Sequence, residues 1–390
     1  QNKLNVPHLR FPEFHGEWGV STIGEQFDLY SGNTPSRLNK EHFEGNVNWI
    51  TSGELKEHYI SDTKEKISED AATANNLKLL HPGTFVIAIY GLEADGVRGT
   101  GSITCKESTI SQACMAFTQK GDVKNEFLYS WYKKHGNIIG IKYAQGTKQQ
   151  NLSYDILEKF HIAYPSQDEQ DKLIKFISLL DERIASQSKL IEKLESLIKG
   201  IVDCTILRKE KNAIVGDVCS ISEQIRAEAN IDDIITVRLH GNGVCKSSAE
   251  NLQLGATQYY RRRAGQLIYG KQNFHNGAIG IVPISLDNGI TSKDIPSFDI
   301  DEMKCNSVYL LAQLQSPQYY KPAEALTTGT GSKRLKEETF LKLPIVLPNK
   351  REQDNIAVLI HRASMNLDHA KRLLELLSIQ KQFLLRQMFI

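Results

Sequence analysis

The sequence predicts an α+β protein in which two α/β domains are separated by an antiparallel two-helix coiled coil, with an internal pseudo-twofold repeat. Two observations predict this class. The string EQD begins at Glu169 and again at Glu352, 183 positions later, and each copy runs on into about four heptads of apolar residues. Elsewhere, glycine turns separate short apolar runs, as they do in small mixed α/β domains.

The repeat extends upstream of the shared EQD string. At the same offset, without a gap, the chain matches Pro165 with Pro348, Ile162 with Ile345, Lys159 with Lys342, Leu152 with Leu335, and Gly146-Thr147 with Gly329-Thr330. This period is too long for a solenoid, whose units are about 20–50 residues. It predicts α/β domains at residues 1–150 and 209–333. Each is followed by a region that the repeat retains and that contains a coiled-coil helix, at 151–208 and 334–390.

Both copies carry signals for the start of a helix. Ser166 and Glu169 form a capping-box pattern after Pro165, and Asn349 can cap the second helix after Pro348. Apolar residues then recur at alternating steps of four and three, which is typical of a coiled-coil seam. The seam residues are Leu173, Ile177, Leu180, Ile184, Ile191, Leu194 and Ile198 in the first copy, and Ile356, Ile360, Leu367, Leu374 and Leu377 in the second.

We expect these two helices to pair with each other in antiparallel orientation. The polar seam residues Gln187 and Lys381 would then set the register. The seam from Leu173 to Ile201 spans about 43 Å at 1.5 Å per residue. The alternative is that each helix packs as a surface helix on its own domain. Within the domains, the pattern predicts a buried strand near residues 84–90 and helices near 126–134 and 307–315.

Composition is that of an ordinary globular protein, with 40% hydrophobic residues, 24% charged residues and a net charge of +1. No apolar run reaches the roughly 18 residues of a membrane span, and no signal-peptide pattern is present. The six cysteines form no C-x-x-C pair, which fits a reducing compartment better than a zinc site or a disulfide framework. We therefore expect a cytoplasmic protein with no membrane partner.

The sequence contains no recognisable catalytic motif. No two prolines are adjacent, which excludes the D/N-P-P-Y/F motif of adenine and cytosine-N4 methyltransferases. No G-x-G-x-x-G follows a strand, so no nucleotide or methionine-cofactor cradle is indicated. Asp28, Glu54 and Lys56 could imitate a nuclease triplet, but such triplets are common by chance. We expect a non-catalytic chain that itself binds no metal and no cofactor.

The clearest candidate for nucleic-acid contact is QYYRRRAGQLIYGKQNFHNG, residues 258–277, which combines three arginines with four aromatic residues. Arginine pairs with guanine and phosphate, amides pair with adenine, and aromatic rings pack on sugars or bases. The alternative is that residues 267–269 form a core strand and the arginines a solvated edge. The candidates in the second domain are Tyr259, Arg261, Arg262, Arg263, Tyr269, Lys271, Asn273, His275, Lys293, Lys333 and Arg334.

The first domain offers polar loops kinked by glycine. Its candidates are Thr34, Ser36, Arg37, Trp49, Thr51, Ser52, Tyr90, Arg98, Gln112, Lys148, Gln149 and Gln150. Lys333 and Arg334 occupy the place of the 146–150 turn in the second copy, which suggests a shared contact with the nucleic-acid backbone. Taken alone, these loops are ordinary turns.

Over nearly its whole length, the chain resembles the specificity (S) subunit of type I restriction-modification systems. The resemblance rests on SGNTP (31–35), WITSG (49–53), GTKQQNL (146–152) and the P-x-x-x-E-Q start of both helices. The string VPHLRFPEFHGEW (6–18) is also similar to that family's N-terminus. The second domain lacks counterparts of SGNTP and WITSG, so its candidate contacts rest on composition alone.

The resemblance implies that each α/β domain is a target-recognition domain that reads one half of a split site in double-stranded DNA. It implies that the paired helices set the spacing and dock two modification (methyltransferase) subunits, which hold S-adenosylmethionine. Two restriction subunits, which use ATP and Mg²⁺ to translocate and cut, would complete the assembly. A 43 Å seam matches roughly 13 base pairs at 3.4 Å each, which leaves an unread gap between the half-sites.

Two alternatives stay open at this point. The chain could be the specificity subunit of a type IIB-like enzyme, which cuts on both sides of a split site. It could also be a coiled-coil scaffold that does not bind DNA, which would explain the helices but not the basic turn at each helix entrance.

Overall fold

The computed structural model describes residues 5–94, 96–146, 150–247, 257–329 and 333–390. The chain divides into two compact units. Unit 1 comprises Gln1–Ser186 and Leu373–Ile390, and unit 2 comprises Gln187–Arg372. Both divisions fall inside long helices rather than in linkers, so each unit contains one α/β domain and part of both helices.

Unit 1 is built on a five-stranded sheet of order β2-β9-β6-β7-β4 and a three-stranded sheet of order β5-β3-β8, and β1 pairs with β10. The strands are β1 Gly19–Thr22, β2 Phe27–Ser31, β3 Val47–Ile50, β4 Tyr59–Ile60, β5 Lys66–Ile67, β6 Phe85–Ala88, β7 Gly101–Thr104, β8 Ser108–Ile110, β9 Cys114–Gln119 and β10 His161–Tyr164. The helices that begin here are α1 Ile23–Gln26, α2 Glu69–Ala74, α3 Asn125–Tyr143, α4 Tyr154–Glu158 and α5 Gln167–Val202.

The core of unit 1 lies between its main sheet and α3. Strand β6 is the predicted apolar run; all four of its residues are buried, and antiparallel neighbours flank it on both edges. Phe85 packs against Phe117 of β9 and against Tyr129 and Tyr132 of α3. The predicted strand near 84–90 and helix near 126–134 are therefore confirmed.

Unit 2 contains a four-stranded sheet of order β12-β20-β17-β18, a three-stranded sheet of order β13-β16-β19, and the pairs β14-β15 and β11-β21. The strands are β11 Ala213–Ile214, β12 Cys219–Ile221, β13 Arg226–Ala227, β14 Ile235–Val237, β15 Val244–Lys246, β16 Tyr259–Arg261, β17 Leu267–Tyr269, β18 Ile279–Ile281, β19 Ile290–Ser292, β20 Ser297–Ile300 and β21 Pro344–Ile345. The helices that begin here are α6 Ser307–Leu314, α7 Pro317–Tyr320, α8 Glu337–Leu341 and α9 Lys350–Met388.

The two units share a framework that explains the repeated sequence. In each, the strand that enters the domain pairs antiparallel with the strand before the long helix, with Gly19 opposite Tyr164 in unit 1 and Ala213 opposite Ile345 in unit 2. A short helix, α4 or α8, precedes each of these second strands. The predicted helix near 307–315 is present as α6.

The repeated EQ pair attaches each long helix to its own domain. Gln170 is fully buried, and its Nε2 donates to the carbonyl oxygens of Pro165 and Asp122 at 3.0 and 3.1 Å. Its Oε1 accepts a 2.9 Å hydrogen bond from the backbone N–H of Lys124, just before α3. Glu169 forms a bidentate ion pair with Arg10, at 2.8 and 2.7 Å.

The same arrangement recurs in unit 2. Gln353 Nε2 donates to the carbonyls of Pro348 and Lys304 at 2.8 and 3.1 Å, and its Oε1 accepts from the N–H of Asn306, the N-cap of α6, at 2.9 Å. Glu352 pairs with Lys209. The repeated EQ pair therefore reflects the same tertiary contact in both units. Each glutamine can make this contact because its side-chain amide donates and accepts hydrogen bonds at once.

In unit 1, the first part of α5 pairs antiparallel with the last part of α9. Leu173 and Ile177 share one core with Leu384 and Met388, while further along α5 the carboxylate of Asp181 contacts the ammonium of Lys381. The predicted seam lysine therefore meets an acid on the facing helix. This contact fixes the pairing register within unit 1.

In unit 2, the remaining segments also run antiparallel. Gln187 Nε2 donates to the carbonyl oxygen of Ala370 at 3.1 Å, and further along α5 Val202 shares a core with Ile356 and Ile360. In the two units together, every predicted seam residue is buried or half-buried. The α+β class predicted from the sequence is confirmed. Among the described residues, no helix is long and apolar enough to span a membrane.

Candidate nucleic-acid interface

In unit 1, the SGNTP and WITSG strings lie against each other. Trp49 is only 2% exposed, and its Nε1 donates to the carbonyl oxygen of Asn33 at 3.1 Å. The expectation that Trp49 contacts DNA is corrected here, because the ring is an interior support for the 31–35 turn. Thr34 is half-buried and Ser36 is exposed on that turn, so both stay candidates.

Arg37 lies on the same surface, but its charge is already paired. Its guanidinium makes two 2.8 Å hydrogen bonds to Glu65 and lies over the rings of Phe43 and Trp49, at 4.8 and 5.6 Å from their centroids. The Glu65 carboxylate raises the pKa of Arg37, so the guanidinium stays protonated. The guanidinium of Arg37 is therefore held in a fixed orientation, and its charge is already balanced by Glu65.

The turn that follows Trp49 is tied together by Glu54. The backbone N–H and the hydroxyl of Thr51 donate to Glu54 Oε2 at 2.9 and 2.8 Å, and the N–H of Lys64 donates to Oε1 at 2.7 Å. The carboxylate thus holds a loop together, which explains Glu54 without nuclease chemistry. Thr51 and Ser52 are half-buried on the turn.

Two further candidates meet at the turn that precedes α4. Arg98 Nη2 donates to Gln150 Oε1 at 2.7 Å, and the N–H of Gln150 donates to the carboxylate of Glu93 at 2.8 Å. That bond, with the backbone N–H of Glu93 itself, holds the pKa of Glu93 below its usual range. The predicted contacts Lys148 and Gln149 lie outside the described residues.

A cleft of about 480 Å³ opens beside this turn. Tyr90 and Tyr154 are partly exposed on its wall, and Asn151 has a buried Oδ1 without a hydrogen-bond partner among the described residues. Asn151 and Tyr154 were not predicted, because only the fold brings them beside Tyr90. Gln112 is exposed on the turn between β8 and β9, and its side chain makes no hydrogen bond or ion pair among the described residues.

In unit 2, the structure separates the arginines of residues 261–263. Arg261 and Arg263 are exposed, whereas Arg262 is 0% exposed. Arg262 donates to Thr291 Oγ1 at 2.7 Å, Ser297 Oγ at 2.9 Å, the Ile295 carbonyl at 3.0 Å and Gln224 Oε1 at 3.3 Å. Among the described residues it forms no ion pair with a carboxylate, and burial lowers its pKa to about 10. Direct DNA contact by Arg262 is therefore corrected to an interior role.

The aromatic candidates of unit 2 are likewise interior. Tyr269 is 0% exposed, its hydroxyl donates to the Leu335 carbonyl at 3.0 Å, and its ring stacks on Phe340 at 4.5 Å. Burial raises the pKa of Tyr269. Tyr259 is also buried. Tyr269 matches the alternative that residues 267–269 form a core strand, and both tyrosines are removed from the candidate contacts.

Most of the other basic candidates are ion-paired. Lys271 lies 2.6 Å from Glu337, Lys333 lies 3.1 Å from Glu324, and Arg334 lies 3.3 Å from Asp294. Asn273 is exposed and His275 is half-buried at the turn after β17. Among the described residues, the predicted cations without an ion pair are Arg98, Arg261, Arg263 and Lys293.

The fold adds two cations that the sequence pattern did not single out. Arg226 on β13 lies opposite Tyr260 of β16, and together with Lys246 and Arg261 it lines a cleft of about 620 Å³. The cleft also contains four acidic residues: Glu228, Asp232, Asp233 and Asp287. It is therefore mixed in charge and suited to hydrogen-bonded recognition more than to bulk phosphate attraction. Among the described residues, no group of three or more His, Cys, Asp or Glu side chains could hold a metal ion.

The first repeat of the chain matches a known protein family. Residues 15–196 match the family described as the Type I restriction modification DNA specificity domain. The match spans 182 of the 390 residues, a little under half of the chain. The match covers the specificity domain of unit 1, including the SGNTP and WITSG strings, and a large part of α5.

The sequence similarity to known specificity subunits extends beyond the first repeat. The Type I restriction enzyme MjaIX specificity subunit of Methanocaldococcus jannaschii is 28% identical over 185 residues, which cover 46% of this chain and 42% of that protein. The MjaVIII specificity subunit of the same organism is 20% identical over 389 residues, covering 92% of this chain and 88% of that protein. The resemblance to type I specificity subunits is confirmed.

A solved structure shares the fold. The type I restriction-modification S subunit from M. genitalium superposes with a TM-score of 0.65 at 16% identity and covers 99% of both chains. At this identity, the likeness concerns the fold.

Proposed function

We propose that this chain is the DNA-recognition subunit of a type I restriction-modification system, and that each unit carries one domain that reads half of a bipartite target. The observation that carries the proposal is the specificity-domain match over the first repeat. The second unit repeats the same framework, with Gln353 in the place of Gln170. Different side chains on a shared framework suit the reading of two unlike half-sites.

The exposed side chains support base and shape readout more than simple charge attraction. Arg37, Lys271, Lys333 and Arg334 are already neutralised by carboxylates, and the net charge of the chain is only +1. Phosphate contacts supply most of the affinity in DNA binding. We therefore expect the isolated chain to bind DNA feebly at physiological salt, with partners providing much of the phosphate contact.

Catalysis and its cofactors are assigned to partner subunits. The helices carry exposed apolar side chains that do not face the seam: Leu373, Leu376, Ile379 and Phe383 in unit 1, and Leu190, Leu197 and Leu359 in unit 2. Exposed apolar side chains clustered along a helix favour protein docking. We propose that two modification subunits dock here, with S-adenosylmethionine held on them, and that two restriction subunits with ATP and Mg²⁺ join the same assembly.

The experiment is a methylation map of cells that lack other DNA methyltransferases and express this chain with its cognate modification subunit. The wild type should methylate a motif of two short half-sites separated by an unread gap. The double variant Arg261→Ala, Arg263→Ala should relax or abolish one half-site and leave the other unchanged, because both arginines lie on the unit 2 domain.

The matched control is Lys336→Ala, Lys342→Ala, which removes two exposed positive charges from the same unit. It should leave the motif unchanged. A continuous motif in the wild type, or equal effects of the two double variants, would refute the proposal.

A further inference from the structure

A charged cluster in unit 1 is centred on His58, which lies between the WITSG turn and β4. Its side chain is 14% exposed. The imidazole is sandwiched between two tyrosine rings, Tyr59 at 4.1 Å and Tyr129 at 4.0 Å between centroids, with interplanar angles of 9° and 1°. These stacked rings hold the plane of the imidazole and leave its two nitrogens free to point outward.

Both nitrogens face carboxylates from different elements. Nε2 lies 2.8 Å from Glu126 Oε2 on α3, and Nδ1 lies 3.5 Å from Asp181 Oδ2 on α5. The other oxygen of Asp181 contacts Lys381 on α9. One histidine thus links the recognition domain to both long helices within unit 1.

The charges around this ring favour its protonated form. The titratable and charged groups that face it are Glu57, Tyr59 and Cys105 near its own strand, Glu126, Tyr129 and Lys133 on α3, Asp181 on α5 and Lys381 on α9. Burial lowers the pKa of His58, but the carboxylates of Asp181 and Glu126 outweigh it and raise the pKa above 6.5. Burial lowers the pKa of Lys133 to about 8.

His58 also lies on rigid backbone next to a candidate DNA-contacting turn. Its carbonyl accepts a 2.8 Å hydrogen bond from the N–H of Ile103 on β7, and the preceding Glu57 carbonyl accepts from Ser102 Oγ at 2.6 Å. The Ser52–Glu54 turn lies four residues upstream of His58. Only residues 55–57 separate this anchored backbone from the Ser52–Glu54 turn.

We propose that His58 is a positioning residue: as an imidazolium held between Glu126 and Asp181, it fixes the Ser52–Glu54 turn of the specificity domain relative to the helix pair. The DNA-reading consequence rests on the proposed function, whereas the link itself does not. When the imidazolium loses its proton, Asp181 keeps only Lys381 as a partner and the link weakens.

The pH dependence has a definite sign. Because the pKa of His58 is raised in the folded protein, its stabilisation is complete below the ordinary value of 6.5 and is lost as the pH rises through the raised folded value. Most acid-sensitive contacts behave in the opposite way. A stabilising contact that is lost on the alkaline side is the behaviour expected of a group whose pKa is raised on folding, as it is for His58.

The test compares the thermal unfolding of the full chain with that of His58→Gln at pH 6 and pH 9, followed by tryptophan fluorescence. All three tryptophans, Trp18, Trp49 and Trp131, lie in unit 1. At pH 6 the variant should lose about 2–4 °C in Tm, and at pH 9 the loss should be smaller, because only the ring stacking with Tyr59 and Tyr129 is then missing.

The matched control is His361→Gln, an exposed histidine on α9, which should show no pH-dependent loss. Asp181→Asn should flatten the pH dependence in the same way as His58→Gln. An NMR titration of the wild type should give His58 a pKa above 6.5. A pKa below that value, or equal Tm losses at pH 6 and 9, would overturn the proposal.

The methylation map then tests positioning. His58→Gln should relax the half-site read by unit 1 and leave the other half-site intact. If the wild type methylates no bipartite motif, the proposed function fails, while the Tm and NMR results still decide the link. If the wild-type motif appears and His58→Gln leaves it unchanged, the positioning role is wrong.

Discussion

At the scale of single residues, the arginines at 261–263, where β16 ends and the chain runs on, show how the backbone sorts identical side chains. Successive side chains on extended backbone point to opposite faces, so Arg261 and Arg263 reach the surface while Arg262 enters the core. The composition predicted a basic patch, and the fold leaves two of its three charges outside. A buried guanidinium without a carboxylate is costly, and here four neutral acceptors stabilise it.

Substitutions of these arginines should differ clearly in their effect on the free energy of unfolding. Arg262→Met leaves the hydroxyl oxygens of Thr291 and Ser297 without the donor that they have in the wild type, so it should lower the free energy of unfolding by about 1–3 kcal/mol. Arg263→Ala should change it by no more than about 0.5 kcal/mol, because the side chain is exposed. Urea unfolding followed by circular dichroism measures both. Equal losses for the two variants would show that Arg262 has no interior role.

At the scale of elements, the repeated glutamines explain why two helices start with the same letters. Gln170 and Gln353 each join three backbone groups: the residue before the cap, a loop carbonyl, and the N–H at the start of α3 or α6. Such a contact fixes the angle at which the helix leaves its domain. From the sequence, only the capping role of this motif could be predicted. The structure shows that its glutamine also joins the helix to the domain.

Removing either glutamine should destabilise the unit that contains it. We expect Gln170→Ala and Gln353→Ala each to lower the free energy of unfolding by about 1–3 kcal/mol, because buried backbone groups lose their partners. Tryptophan fluorescence, which reports unit 1, should detect the loss for Gln170→Ala and not for Gln353→Ala, whereas circular dichroism should detect both.

The exposed Gln380→Ala on α9 is the control and should be nearly neutral. If neither buried glutamine matters more than this control, the attachment of the helices must lie elsewhere.

The elements were largely predictable because their signals are local. The helix starts follow from Ser166 and Asn349, and β6 follows from an unbroken apolar run. The site was much less predictable. Trp49 and Tyr269 belong to residue types that often contact DNA, but which side of a strand is buried depends on partners distant in sequence. Arg226 and Asn151 were missed for the same reason, since only strand pairing and loop closure bring them to a cleft.

At the scale of the whole molecule, the repeat is the feature that the sequence predicts best. A fixed offset of identical residues requires no knowledge of side-chain packing, and it anticipates the two matching frameworks. The sequence analysis expects antiparallel pairing, and within each unit the contacts of Asp181 with Lys381 and of Gln187 with Ala370 agree with it. The bases recognised stay beyond reach, because the side-chain type alone does not define a code.

The central claim is that two reading domains act on one DNA target across a spacing set by paired helices. Deleting residues 184–190 and 367–373 together removes one heptad from each helix at the facing positions Gln187 and Ala370, and it keeps the seam in phase. Seven helical residues span about 10 Å, which corresponds to about three base pairs of duplex.

Methylation mapping of this double deletion, expressed with the cognate modification subunit, is the most direct measurement. The account predicts the same two half-sites separated by a gap about three base pairs shorter than in the wild type. A folded, active variant that methylates targets with the original spacing would contradict it.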